Sequence, residues 1–250
     1  MRLQAIVFDL GGTLIEYSGP YQKWPDMETP GFLAAYAVLQ TAQLPLPDFQ
    51  QFQQTGFDLL PIRWQAAVKG KQNLRLIELL ADVLAAYQVV VPPNLLDRAA
   101  RAYEQAIQQQ ARPMPMAKET VARLKEAGYR LGLISNTMFT GAAHEEDLRR
   151  FGLREYFDEL LFSADVNKWK PNADPFWHVL EALQVAPETA VYIGDDPASD
   201  VVGGQRAGMF TIHYHSHSRF PTPNGVHPHA RIFGLDELIP ALRQLENRTQ

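Results

Sequence analysis

The sequence has no cysteine, which excludes a disulfide framework, a thiolate nucleophile and a thiolate zinc site. Positive charge is also in short supply: 23 Lys and Arg stand against 28 Asp and Glu, a formal net charge of -5. No broad basic field is available for condensing on nucleic acid or anionic lipid. The expected partner is therefore a small molecule, not nucleic acid or a membrane. Long apolar runs are missing too. The richest, "LLADVLAAYQVVV" from Leu79 to Val91, contains Asp82 and Gln88 and falls short of the ~20 apolar residues that span a bilayer. The first apolar run is interrupted by Asp9 and lacks the basic start and small-residue cleavage site of a secretory leader, so a cytoplasmic protein is expected. A second acid is also missing: "AIVFDLGGTLIEYS", Ala5 to Ser18, offers Asp9 and then, two residues later, only Gly11.

What is present suffices for a sizeable core, with 46% of the 250 residues hydrophobic. Short runs rich in Val, Ile, Leu and Phe recur at Ala5 to Phe8, Leu131 to Ile134, Leu160 to Phe162, Val191 to Ile193 and Phe210 to Tyr214. Segments of helical period separate the later ones, including "AKETVARLKEAG", "AHEEDLRRFG", "DPFWHVLEALQV" and "DVVGGQRAGM". That alternation predicts an α/β protein, a doubly wound parallel sheet covered by helices. Asp174 and Pro175 suit an N-cap and first helical position, and Gly128, Gly152 and Gly208 stand where helices should stop. The last helix, in "GLDELIPALRQLEN", should pack Leu238, Ile239, Leu242 and Leu245 on the sheet.

Between residues 17 and 112 the strand signals vanish. "FLAAYAVLQTAQ", "NLRLIELLADVLAAY" and "LLDRAARAYEQAIQQQ" are helical, with Leu76, Leu80, Val83, Leu84 and Tyr87 on one apolar face. The expected organisation is a core of residues 1–16 and 113–250 carrying an all-helical insertion, 17–112. The Gln-rich patches at 50–54 and 108–110 are expected to be solvated helix faces.

In an open parallel sheet, ligands gather beyond the carboxyl ends of the strands, and the residues there are polar. Asp9 follows the first run, Ser135 and Asn136 follow "LGLI", Lys170 stands in "NKWKP", and Asp195, Asp196 and Asp200 follow "VYIG". This set resembles the haloacid dehalogenase superfamily, whose four motifs appear in order as "VFDLGGTL", "LGLISNT", "KP" and "VYIGDDPASD". The resemblance implies a phosphohydrolase with a helical cap, in which Asp9 attacks phosphorus to form an aspartyl phosphate that water later hydrolyses. It implies Mg2+ held by Asp9, the carbonyl of Gly11 and Asp195, with Asp196 and Asp200 in support. Ser135 and the backbone after it, with Gly12, Thr13 and Asn136, would hold the substrate's phosphoryl group. Lys170 would neutralise that group, and Asp200 would orient Lys170 or the metal's waters. Lys170 is preferred over Lys168 because it precedes the proline. Asp196 and Asp200 also suit a second role, capping the helix that follows.

Most phosphatases of this superfamily carry a second Asp where this chain has Gly11, and that residue protonates the leaving oxygen and activates water. Its loss removes a role worth about 10²- to 10⁴-fold. Three consequences stand open: a leaving group that needs little protonation, an acid supplied from elsewhere, or a catalytically weak protein that binds a phosphorylated ligand or a protein partner. Glu16, Asp26 and Glu28 are candidate replacements. The loop "GPYQKWPDMETPG" is expected to face substrate through Trp24. Gly11 argues against the carbon-attacking dehalogenase branch, which usually has Tyr there. A phosphonatase would need a cap lysine, for which Lys23, Lys69 and Lys71 are available. His213, His215, His217, His227 and His229 cluster late in the chain, where a transition-metal site competes with the preferred reading of a solvated or subunit-contacting loop past the last core strand. No oligomeric state is implied.

Overall fold

The computed structural model describes residues 2–215 and 220–248. In chain order the strands are β1 (Ala5–Phe8), β2 (Ile15–Glu16), β3 (Arg112–Pro113), β4 (Arg130–Ser135), β5 (Glu159–Phe162), β6 (Ala190–Gly194), β7 (Phe210–Tyr214) and β8 (Ala230–Ile232). The α-helices are α1 (Thr29–Gln40), α2 (Phe49–Val68), α3 (Leu76–Ala85), α4 (Pro93–Gln110), α5 (Ala117–Glu126), α6 (Gly141–Arg150), α7 (Ser163–Val166), α8 (Asp174–Leu183), α9 (Val202–Arg206) and α10 (Leu238–Arg248).

The large sheet has the order β5-β4-β1-β6-β7-β8, and its strand pairs are parallel. Such a sheet is covered on both faces, so its strands are continuous apolar runs instead of alternating ones. In β1 all four residues are buried. Ile6 and Phe8 pack into a layer with Val121 and Leu124 of α5, Leu148 of α6 and Leu242 of α10, while Ala5 and Val7 pack with Phe176, Val179 and Leu183 of α8. Leu238 and Leu245 are buried in the first layer and Ile239 packs against it. The chain moves outward from β1 through β4 to β5, then returns past β1 to β6, β7 and β8. The reversal opens a crevice beyond the end of β1, with β4 and β6 on either side.

Helices α1 to α4 form the insertion. β2 and β3, at its entrance and exit, pair antiparallel, with Ile15 opposite Pro113 and Glu16 opposite Arg112. The insertion has its own apolar cluster, including Phe32, Phe52, Leu60, Leu79, Val83 and Tyr103, and the core loops add Met138 and Trp169 to it.

Some local expectations need correction. Asp174 is the first residue of α8, Ala173 is the N-cap, and no side chain caps the helix. The sequence pattern did not mark α2, because its apolar positions are thinned by Gln and interrupted by Gly56 and Pro61. Gly56 is needed for packing, since a Cβ there would collide with the Phe32 ring. Gln108 and Gln110 are only half-exposed, their amides donating to the carbonyls of Ala143 and Met27, while Gln109 between them is exposed. The histidine segment is not simply a loop past the last core strand. His213 lies within β7 and is fully buried, β8 follows the segment, and the His229 ring hydrogen-bonds Thr211. His217 lies outside the described residues.

Candidate active site

Asp9 sits one residue beyond β1, where its backbone N–H still donates to Ile193 of β6. The chain then turns sharply. Gly12 takes φ +81°, and a Cβ there would collide with the Asp195 carboxylate, so glycine meets both a backbone and a space requirement. Thr13 is fully buried and its hydroxyl donates to Asp9 Oδ2 at 3.2 Å. Its contact is with the acid, and it does not line the cavity described below.

Lys170 arrives from the segment after α7 and is 2% exposed. An ammonium has three donors. Those of Lys170 go to Asp9 Oδ1 at 2.7 Å, Asp200 Oδ1 at 2.7 Å and the Tyr192 hydroxyl at 2.8 Å, and Tyr192 donates in turn to the Ile134 carbonyl. Burial opposes the charge on Lys170, but the Asp200 and Asp9 carboxylates outweigh it and hold the ammonium well above its ordinary pKa. Burial pushes the Asp200 carboxyl up, and the Lys170 charge opposes that rise. The other oxygen of Asp200 accepts the backbone N–H of Asp196. Asn136 fixes the backbone of Lys170 reciprocally: its amide donates to the Lys170 carbonyl and its oxygen accepts the Lys170 N–H, both at 2.9 Å. Lys168, the competing lysine, lies within 3.1 Å of His178 in an exposed setting.

Ser135, at the end of β4, is buried and lines the same cavity as Asp9, Gly11, Gly12, Asn136, Lys170, Asp195, Asp196 and Asp200. Asp196 caps the turn Pro197–Val201, its carboxylate accepting from the Ala198 N–H and the Ser199 hydroxyl. Carboxylate oxygens of Asp9, Asp195 and Asp200 lie within 4.8 Å of one another, the one such acidic or histidine group among the described residues. An all-oxygen donor set of this kind suits a hard divalent cation.

The cavity, about 1040 Å³, extends from these residues to the helical insertion, where Trp24, Met27, Glu28, Leu60, Trp64 and Ile107 line it. Trp24 is 41% exposed, and its ring meets Trp64 edge to face at 5.8 Å. Among the candidate replacement acids, Glu16 and Glu28 line the cavity and Asp26 does not. Glu28 is buried and accepts from Tyr103 at 2.9 Å; burial pushes its carboxyl up to about 7, against the pull of that hydrogen bond. Lys23 lines the cavity and is exposed, whereas Lys69 and Lys71 lie away from it.

A network that the sequence did not suggest borders Gly11. A Cβ at Gly11 would have the Tyr17 ring as its nearest neighbour, at 3.9 Å, an ordinary contact. The Tyr17 hydroxyl donates to Asp147 and lies 3.2 Å from His144 Nδ1, while His144 Nε2 lies 2.8 Å from the Thr137 hydroxyl. Burial lowers His144 to about 4, keeping the imidazole neutral. Burial of its hydroxyl and the Asp147 charge raise Tyr17. Tyr17 and Asp147 are 130 positions apart, and neither sits in a local motif, so only the folded chain brings them together.

A family model for haloacid dehalogenase-like hydrolases matches residues 3–208. Among curated proteins, the chain is 31% identical over 210 residues to the glyceraldehyde 3-phosphate phosphatase of Methanothermobacter thermautotrophicus, covering 84% of each. It is 33% identical over 120 residues to the glyceraldehyde 3-phosphate phosphatase of Methanopyrus kandleri, where the match spans 48% of this chain and about half (51%) of that protein. In fold it is similar to the HAD-hydrolase YfnB of Bacillus subtilis, solved bound to magnesium, with a TM-score of 0.66, 21% identity, and coverage of 97% of this chain and 100% of that one.

Proposed function

The chain belongs to the haloacid dehalogenase-like hydrolases, and we propose that it is a magnesium-dependent phosphohydrolase of a small phosphorylated substrate, with Asp9 as nucleophile. The observation that carries this reading is the Asp9 carboxylate at the sheet's reversal point, 2.7 Å from a buried lysine that Asp200 shares. Two unit charges of like sign at ~4 Å repel by ~4 kcal/mol at an effective dielectric of ~20. A carboxylate therefore needs compensating charge before it can approach a phosphate dianion. Lys170 supplies part of it.

Asp9, Asp195 and the carbonyl of Gly11 would hold Mg2+, since both Asp200 oxygens already serve Lys170 and the Asp196 backbone. When bound, the ion supplies the remaining positive charge against the phosphoryl oxygens. In the first step an Asp9 oxygen forms a bond to phosphorus, the bond from phosphorus to the leaving oxygen breaks, and its electron pair departs with that oxygen. In the second, water attacks phosphorus, the bond to Asp9 breaks, the carboxylate is regenerated, and the water's proton passes to solvent with phosphate release. Ser135 and the backbone N–H groups after it are suited to bind the transferring oxygens. Gly12 leaves room for Asp195, and Thr13 and Asn136 position Asp9 and Lys170. Asp196 supports the turn that presents Asp200. Residues 17–112 would act as a cap hinged at the β2–β3 ribbon, closing over the core formed by 1–16 and 113–250 and excluding water.

The test is magnesium-dependent phosphate release across sugar, nucleotide and aryl phosphates, with Asp9→Asn as control. Turnover that depends on both Mg2+ and Asp9 supports the reading. The empty position at Gly11 favours one rival, a catalytically weak protein that binds a phosphorylated ligand; ligand binding without turnover of any substrate would establish that rival.

A further inference from the structure

Resting on the phosphohydrolase reading, we infer that the substrate is a phosphate monoester of an uncharged aromatic hydroxyl compound, an aryl phosphate whose leaving oxygen departs as a phenolate. Two independent features carry this inference.

The first is the wall that would face the leaving group. Trp24, Met27, Leu60, Trp64, Val68 and Ile107 make it apolar, with two indoles set edge to face. Such a surface favours another ring by edge-to-face or offset contact. Charge points the same way. Among the described residues lining the cavity, the carboxylic acids are Asp9, Glu16, Glu28, Asp195, Asp196 and Asp200, and no arginine joins them. Of the lysines, Lys170 is engaged by Asp9 and Asp200, and Lys23 is exposed. A leaving group carrying a carboxylate or second phosphate would meet six acids against one exposed lysine, and its charge would be costly to desolvate there.

The second feature is the vacant side-chain position at Gly11. Only ordinary contact with Tyr17 awaits a Cβ there, so an acid would fit and the chain does without one. Without an acid at that position, and with the buried Glu28 carboxyl held by Tyr103 in the cap, the leaving oxygen carries off the electron pair of the broken bond and must be stable as an anion. A phenol ionises at about 10, as tyrosine does, whereas an alkyl alcohol, like water, gives up its proton far less readily. The aromatic wall and the missing acid thus select the same molecule.

Four substrates separate the two features at saturating Mg2+. Phenyl phosphate has both the ring and the good leaving group, benzyl phosphate only the ring, acetyl phosphate only the leaving group, and glycerol 3-phosphate neither. Phenyl phosphate should exceed benzyl phosphate in kcat/KM by about 10²-fold or more, and Gly11→Asp should narrow that gap to about tenfold or less. Trp24→Ala and Trp64→Ala should each lower kcat/KM for phenyl phosphate by about tenfold more than for acetyl phosphate. Trp24 is 41% exposed and lies outside the buried apolar cluster of the insertion, so its replacement should leave the fold intact. Benzyl phosphate or glycerol 3-phosphate within tenfold of phenyl phosphate would overturn the inference and leave the phosphohydrolase reading standing. No hydrolysis of any of the four, acetyl phosphate included, would overturn both.

Discussion

The two walls of the cavity solve opposite problems. On the core side the sheet delivers Asp9, Lys170 and Asp200 as buried charges, and each charge answers another: the ammonium uses its three donors on two carboxylates and a tyrosine hydroxyl. On the cap side, Glu28 is buried without a cation, and burial lifts it to about 7. Indoles and aliphatic chains make up much of the remaining surface. Compensated charge is what phosphoryl chemistry requires, and apolar surface is what can choose among leaving groups. On the proposed reading, chemistry and selection would therefore be carried by different segments of the chain, which meet only in the fold.

Removing a compensating charge from the core wall should have the largest effect. Lys170→Met leaves Asp9 and Asp200 buried together without their shared cation, a change worth about 3–5 kcal/mol of stability and roughly 10²- to 10³-fold in kcat. Urea denaturation and steady-state kinetics would measure both, and near-wild-type values would erase the contrast between the walls. The corresponding change on the cap wall is Glu28→Gln, with the opposite sign above neutral pH. The folded chain holds the Glu28 proton up to about 7, against an ordinary value of 4.5. Glu28 therefore contributes its full stability below 4.5 and loses it as pH rises through about 7. That interval is worth at most about 3 kcal/mol. The glutamine variant should lose this pH dependence and be the more stable protein at pH 8. Equal pH profiles for the two proteins would place Glu28 in water.

Smaller changes sharpen the boundary between the regions. Tyr17→Phe removes the hydroxyl that ties the chain after β2 to Asp147 and His144 on α6, and leaving those buried groups short of a partner should cost about 1–3 kcal/mol. Asp196→Ala removes an N-cap and should cost about 1 kcal/mol. A loss at Asp196 as large as that at Lys170 would show that Asp196 belongs to the charged cluster and not only to the turn.

The legible part of the molecule was the part governed by local pattern. Buried parallel strands must be apolar and their ends must meet solvent or ligand, so β1, β4, β5, β6 and β7 and the polar residues beyond them stood out in the sequence. Helix α2 did not, because its burial depends on Gly56 accepting the Phe32 ring, a requirement that lies in another helix. Strand β8 was hidden among His and Pro residues because three residues at a sheet edge give too short a pattern. The Tyr17, His144 and Asp147 network was invisible for a similar reason: its members come from the chain just after β2 and from the core helix α6, and no spacing links them. Trp24 could be singled out in its loop, but its partner Trp64 could not, since the edge-to-face contact joins two distant segments.

The claim on which the account turns is that Asp9 itself takes the phosphoryl group. Acid quenching during turnover with Mg2+ and a labelled phosphate ester, followed by peptide mass spectrometry, tests it directly. A phosphoryl group is expected on the Asp9 carboxylate and absent from Asp9→Asn. Phosphate release at full rate with no label on the chain, or with label on another residue, would contradict it.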